Sequence, residues 1–289
     1  MPASPIPLIE SFATLAPNYD AVMSDVWGVI HNGIKATPAA CDALMQFRAK
    51  GGTVALITNA PRPGAVVMKF LDKLGVPRDA YDTIVSSGDV TRAVIKTRTG
   101  KNVFHIGPER DLGIFDGLGL NFVPYDLADY VACTGLADDD TETAESYRGL
   151  LTKIRERNLF MVCGNPDLVV ERGDRLVYCA GAIADLYGEL GGEVLYAGKP
   201  HAPIYQEVLR QIAGKRGAEP QRSRVLAIGD SVRTDLTGAV GMGLDCLFVT
   251  AGIHAEELGG REQPNLDALN AMFAEAKMIP KAVTSKLQW

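Results

Sequence analysis

Apolar positions along this chain follow two rhythms. Short unbroken apolar runs lie within 22–30, 53–58 and 83–86, the length and composition of strands buried on both faces. Between them, residues 40–50 and 65–74 read as helices that stop at Gly51-Gly52 and Gly75. The resulting βαβαβ order predicts a parallel sheet with helices on both faces.

The rhythm then changes partners. Strands are predicted at 101–106, 129–133, 159–163 and 176–179, with helices at 141–158 and 181–190. This middle block has an α/β alternation of its own. The opening pattern returns with a helix at 204–213, a strand at 224–228, a helix starting near Asp235, a strand at 246–250 and a helix at 266–277. The expected fold class is α/β: a Rossmann-like parallel-sheet core from residues 1–90 and 194–289, with an α/β domain of residues 91–193 inserted into it.

Composition narrows the function classes. The 289 residues are 47% hydrophobic and 22% charged, enough apolar material for a substantial core. A net charge of −6 argues against a nucleic-acid binder. No apolar run reaches membrane-spanning length, and Met1-Pro2-Ala3-Ser4 lacks the basic start of a signal peptide. The cysteines, Cys41, Cys133, Cys163, Cys179 and Cys246, are odd in number and form no CxxC pair. Reduced, buried thiols in a cytoplasmic protein are the expectation.

Four short segments carry the chemistry. The first apolar run stops at Asp25 and continues Val26-Trp27-Gly28, a carboxylate at the carboxyl end of a strand, where open α/β sheets place ligands. Thr58-Asn59 closes the second strand. Gly198-Lys199-Pro200 precedes the helix at 204, and Gly229-Asp230-Ser231 closes the strand at 224–228, with Asp235 five residues past Asp230. A carboxylate can act as a nucleophile towards phosphorus, and Mg2+ favours one or two carboxylates together with substrate oxygens. Thr58, Asn59 and Lys199 offer hydroxyl, amide and ammonium donors to a phosphoryl group.

Taken together, Asp25-Val26-Trp27-Gly28-Val29, Thr58-Asn59, Lys199 and Gly229-Asp230-Ser231-Val232-Arg233-Thr234-Asp235 resemble the motifs of the haloacid dehalogenase-like superfamily, over about residues 20–250. The insertion resembles the α/β cap of its class IIA branch of sugar, nucleotide and nitrophenyl phosphatases. Cys163-Gly164-Asn165-Pro166-Asp167 resembles that cap's substrate-facing loop. The resemblance implies a Mg2+-dependent phosphatase acting on a small phosphorylated metabolite through an aspartyl-phosphate on Asp25. It makes Asp25, the Trp27 carbonyl and Asp230 metal ligands, with Asp235 a further ligand or a support just behind them, Thr58, Asn59 and Lys199 phosphate ligands, and Asn165 and Asp167 substrate contacts. It also implies a homodimer through the cap.

One position departs from that pattern. Phosphatases of the superfamily usually carry an aspartate two residues after the nucleophile, as general acid and base; here the residue is Trp27. His31, six residues after Asp25, is a candidate replacement, its alternative being a packing role. Two rival functions follow: a hydrolase of different chemistry on the same core, such as carbon–halogen cleavage, and a metabolite-binding protein that turns over little. Asn165 and Asp167 have a local alternative too, an Asx-type turn around Pro166. The run Asp138-Asp139-Asp140 reads as a solvated loop before a helix.

Overall fold

The computed structural model describes residues 6–98, 100–172 and 175–289. In chain order the strands are β1 (Ala21–Asp25), β2 (Thr53–Thr58), β3 (Thr83–Ser86), β4 (Asn102–Ile106), β5 (Asn121–Phe122), β6 (Tyr130–Cys133), β7 (Met161–Cys163), β8 (Val169–Arg172), β9 (Arg175–Tyr178), β10 (Val194–Tyr196), β11 (Val225–Gly229), β12 (Asp245–Val249) and β13 (Ala282–Thr284). The α-helices are α1 (Pro38–Ala49), α2 (Gly64–Leu74), α3 (Ser87–Lys96), α4 (Arg148–Glu156), α5 (Ala180–Glu189), α6 (Ala202–Arg216), α7 (Thr237–Met242) and α8 (Leu266–Ala276). Among the described residues no helix is long and apolar enough to cross a membrane.

The chain forms two compact units: residues 1–58, 68–85 and 205–289, and residues 59–67 and 86–204. The first holds a parallel sheet in the order β13-β12-β11-β1-β2-β3. Every residue of β1, β2 and β11 is buried, which is why those segments read as unbroken apolar runs rather than alternating ones. Progress along the sheet reverses at β1. From there β2 and β3 lie on one side and β11 on the other, so the carboxyl ends of β1 and β11 meet at a topological switch point. This is the Rossmann-like parallel core expected from the sequence.

The second unit is an insertion in that core, since its strands all fall between β3 and β11 in the chain. Its sheet runs β10-β7-β6-β4-β5, with parallel pairings throughout. Side chains alternate across it as a strand's period of two requires. Val131 and Cys133 pack with Leu151 and Ile154 of α4 and Ile183, Ala184 and Tyr187 of α5. Tyr130 and Ala132 face the other way, onto Ile95 of α3 and Ile114, Phe115 and Leu118.

Local differences from the sequence expectation have identifiable causes. The helix expected at 141–158 is shorter: a capping box between Thr143 and Ser146 starts a 3-10 turn at Ala144–Tyr147, and α4 follows. The strand expected at 176–179 is β9, which pairs antiparallel with β8 in a separate hairpin. The segment after Asp230 begins as a single π turn, Val232–Leu236, before α7.

Candidate active site

In the first unit three carboxylates converge. Asp25 ends β1, Asp230 follows β11, and Asp235 lies in the π turn behind it. Each offers an oxygen within 4.8 Å of the others, and all three side chains are buried. The backbone holds them there. Asp25 Oδ1 accepts from the Val26 N–H at 2.7 Å, and Asp230 Oδ2 accepts from Ile253 at 2.8 Å. Asp235 Oδ2 accepts from the N–H groups of Asp230 and Ser231, both at 3.2 Å.

The crowding around Asp230 requires glycine. A Cβ on Gly28 would fall 2.1 Å from Asp230 Oδ2, and one on Gly252 would fall 1.8 Å from it. Gly28 also has φ of +85°, a conformation costly for any residue with a side chain. Three buried acids with only oxygen donors form a ligand set suited to a hard divalent cation. Their oxygens converge on one point, so the residues present fit a metal ion.

Thr58, also buried, ends β2 one residue beyond Ile57, the register partner of Asp25. Trp27 is half-buried. Its ring lies over Gly33, where a Cβ would come within 2.6 Å, and meets the edge of His31 at 5.1 Å. His31 packs in turn against Phe70 at 5.7 Å. Its Nδ1 accepts from the Gly33 N–H at 2.8 Å, and burial pulls its pKa down to about 4. At neutral pH the ring is therefore uncharged. It holds the Trp27 loop in shape and is no ready proton donor.

The second unit brings the remaining predicted residues together. Asn59 Oδ1 accepts from the Lys199 N–H at 2.7 Å, while its Nδ2 donates to the Lys199 carbonyl at 3.1 Å and to Asp167 Oδ1 at 2.8 Å. Both amide protons are thus committed to protein oxygens. The side chain works as a clamp, which leaves the backbone N–H as the donor Asn59 can give a ligand. Gly198 is glycine for a reason, since a Cβ there would fall 2.3 Å from Asn59 Oδ1. The Asp167 N–H donates to Asn165 Oδ1 at 3.1 Å, an Asx turn around Pro166 that aims Asp167 at the clamp.

The same unit holds a buried acid that the sequence did not single out. Asp111 is 4% exposed and accepts from Arg62 Nε at 3.4 Å. Burial raises its pKa, opposed by the nearby guanidinium groups of Arg62 and Arg110 and by a hydrogen bond from Thr134. The charged stretch Glu109-Arg110-Asp111 looks like an ordinary solvated turn, so only the fold reveals it.

Comparison with known proteins agrees with this architecture. The family profile described as haloacid dehalogenase-like hydrolase matches residues 22–121, and a second profile of the same kind matches residues 196–276. A haloacid dehalogenase-like hydrolase from Brucella suis 1330 is 46% identical, with a TM-score of 0.86 over 96% of this chain and 99% of that one. The fold and the acidic cluster thus define a hydrolytic enzyme. The chain belongs to the haloacid dehalogenase-like hydrolase family. The acid sugar phosphatase of Staphylococcus saprophyticus is 22% identical over 83% of this chain and 90% of its own length. The D-glycerol 3-phosphate phosphatase of Mycobacterium tuberculosis is 24% identical over 84% of this chain, which spans 66% of that protein.

Proposed function

We propose that this hydrolase is a class IIA phosphatase that cleaves a small phosphorylated metabolite, a sugar phosphate or a nucleotide. The observation that carries the reading is the buried cluster of Asp25, Asp230 and Asp235, whose oxygens lie within 4.8 Å of one another. The similarity to an acid sugar phosphatase and a D-glycerol 3-phosphate phosphatase supports the substrate class.

Asp25, Asp230, Asp235 and the Trp27 carbonyl would hold Mg2+, which when bound supplies the positive charge that lets a carboxylate approach an anionic phosphoryl group. An Asp25 oxygen attacks phosphorus, the phosphorus–oxygen bond to the alcohol breaks, and the alcohol oxygen takes up a proton. Water then attacks phosphorus and the bond to Asp25 breaks, returning the carboxylate and releasing phosphate. The reading gives Thr58, the Asn59 N–H and Lys199 to the phosphoryl oxygens, whose charge must be held in the transition state. Asn165 and Asp167 would meet the rest of the substrate.

Trp27 in place of an acid, with His31 neutral at pH 7, shapes this mechanism. The proton for the leaving group comes from solvent or from the substrate, which favours leaving groups that need none. The same two residues favour the second reading, a metabolite-binding protein with little turnover. Phosphate release from nitrophenyl phosphate and a panel of sugar and nucleotide phosphates, with Mg2+, with chelator and in Asp25→Asn, tests the proposal. Metal-dependent release that the variant loses is expected. No release above the variant on any substrate sinks it, and halide release in chelator would replace it with carbon–halogen hydrolysis.

A further inference from the structure

The Arg62–Asp111 pair joins a buried acid to an exposed arginine. Asp111 is 4% exposed, whereas the Arg62 side chain is 40% exposed. Only Nε of the guanidinium is engaged; among the described residues Nη1 and Nη2 have no hydrogen-bond partner. The acid is held from behind. Thr134 bonds to Asp111 and to His105 Nε2, the latter at 2.9 Å, and burial lowers the His105 pKa to about 4. A neutral His105 can donate to Thr134, which donates to Asp111, which accepts from Arg62.

The backbone of Arg62 is equally fixed. The Gly88 N–H donates to the Ala60 carbonyl at 3.1 Å, and a Cβ on Gly88 would come within 2.4 Å of the Arg62 carbonyl carbon. The loop from Asn59 to Pro63 is therefore seated on the first turn of α3, and both Asp89 oxygens hold the Gly64 N–H at 3.1 Å.

Placement on the sheet gives this arginine its meaning. The strands of the second sheet are parallel, so their carboxyl ends share one edge, the edge where such sheets bind ligands. Read along the order β10-β7-β6-β4, that edge carries Lys199, then Asn165, then Thr134, then Asp111. Three strand spacings, about 14 Å, separate the ends of β10 and β4, and Arg62 is reached from Asn59, which is clamped to Lys199.

We propose that Arg62 is a specificity residue that binds a second anionic group, a carboxylate or a second phosphoryl, on the part of the substrate remote from Lys199. Asp111 is its positioning residue. The free Nη edge presents two parallel donors, the geometry that matches a planar or tetrahedral oxyanion. The inference rests on the phosphatase reading for its use of Lys199.

The test is a pair of matched comparisons, glucose 6-phosphate against 6-phosphogluconate, and fructose 6-phosphate against fructose 1,6-bisphosphate. Binding to Asp25→Asn protein is measured by calorimetry, and phosphate release is measured in the otherwise wild-type enzyme. The acid-bearing member of one pair should bind about 10- to 100-fold more tightly, the size of a charge-assisted bidentate contact. The pair that shows the preference identifies the group as carboxylate or phosphoryl. Adding Arg62→Ala should bring that ratio to about one, and Arg62→Lys should restore part of it. Asp111→Asn should raise KM for the acid-bearing substrate while leaving kcat within about twofold, because it loosens an arginine that binds without reacting. A ratio near one before substitution, no binding of any of the four, or a ratio unchanged by Arg62→Ala in a protein with an unaltered thermal transition overturns the inference. Release without a binding preference leaves the phosphatase reading standing and removes this one. A preference without release that Arg62→Ala abolishes keeps Arg62 as an anion-binding residue and removes the phosphatase reading with its use of Lys199.

Discussion

Asn59 grips Lys199 by its backbone, accepting from its N–H at 2.7 Å and donating to its carbonyl at 3.1 Å. A side-chain amide is here standing in for a neighbouring strand, and it fixes where the lysine starts. Asn59→Ala removes both bonds and the contact to Asp167. A buried polar group left without its partner costs about 1–3 kcal/mol, so the variant should lose roughly 2–5 kcal/mol in urea denaturation. Activity should fall at least tenfold through kcat/KM. Equal stability with full activity would show that Lys199 is positioned by other contacts.

The three carboxylates make a prediction about stability that needs no substrate. A divalent cation held by the three would favour the folded state, by about 2.7 kcal/mol at 100 times Kd. Mg2+ should therefore raise the melting temperature over that in chelator. Asp235→Asn keeps an acceptor for the Asp230 and Ser231 N–H groups while removing a charge. The same variant should respond weakly to Mg2+. An equal Mg2+ response in both proteins would remove Asp235 from the ligand set.

Gly252→Ala probes the cluster without changing a charge. Its Cβ would arrive 1.8 Å from Asp230 Oδ2, so the carboxylate must move. Weaker Mg2+ binding and at least a tenfold loss of activity are expected, with far-UV dichroism unchanged. Gly241→Ala meets no heavy atom within 4 Å and serves as the control. Matching metal affinities in the two variants would mean that the loop yields.

Much of this arrangement was legible in the sequence where a buried strand ends at a polar residue. Strands β1, β2 and β11 are buried on both faces, so their apolar runs stood out, and Asp25, Thr58 and Asp230 are the polar residues that stop or follow them. The inserted unit was harder to read. Its strands β5 and β10 span two and three residues, too few for any period to show. Helix α3 escaped notice because Ser87-Gly88-Asp89 opens it with turn residues, although Ser86 and Asp89 form a capping box. Asp111 and the double role of Asn59 depend on contacts between segments distant in the chain, to which local composition is blind.

Acid should weaken the fold through its buried imidazoles. The His31 pKa falls from 6.5 to about 4 on folding because burial disfavours the cation. The unfolded chain then binds the proton more tightly, so this contribution is complete above pH 6.5 and is lost as pH falls towards 4. Its ceiling is about 3 kcal/mol, and His105 acts in the same direction. Urea unfolding at pH 7, 5.5 and 4.5 should show stability dropping across this window. His31→Phe should flatten the slope while losing the bond to the Gly33 N–H. An unchanged slope in that variant would show that His31 is not the group responsible.

Trp27 sets the final expectation, which concerns leaving groups. With no acid at this position, departure of the alcohol is unassisted, and rates should drop steeply as the leaving-group pKa rises from nitrophenol to a sugar hydroxyl. General acid catalysis is worth on the order of 10²–10⁴-fold, most of it on the poorer leaving groups. Trp27→Asp should therefore raise turnover of alkyl phosphates relative to nitrophenyl phosphate and make that ratio depend on pH. The change also strips the ring from Gly33 and His31, so the variant should be less stable, by roughly 1–3 kcal/mol for a half-buried aromatic. The ratio of the two substrates, rather than either rate alone, separates chemistry from this loosening. A ratio that is the same in the wild type and in Trp27→Asp would mean either that proton delivery does not limit turnover or that another group already supplies it. Solvent isotope effects on the wild-type enzyme distinguish those two cases, being near unity in the first and well above it in the second.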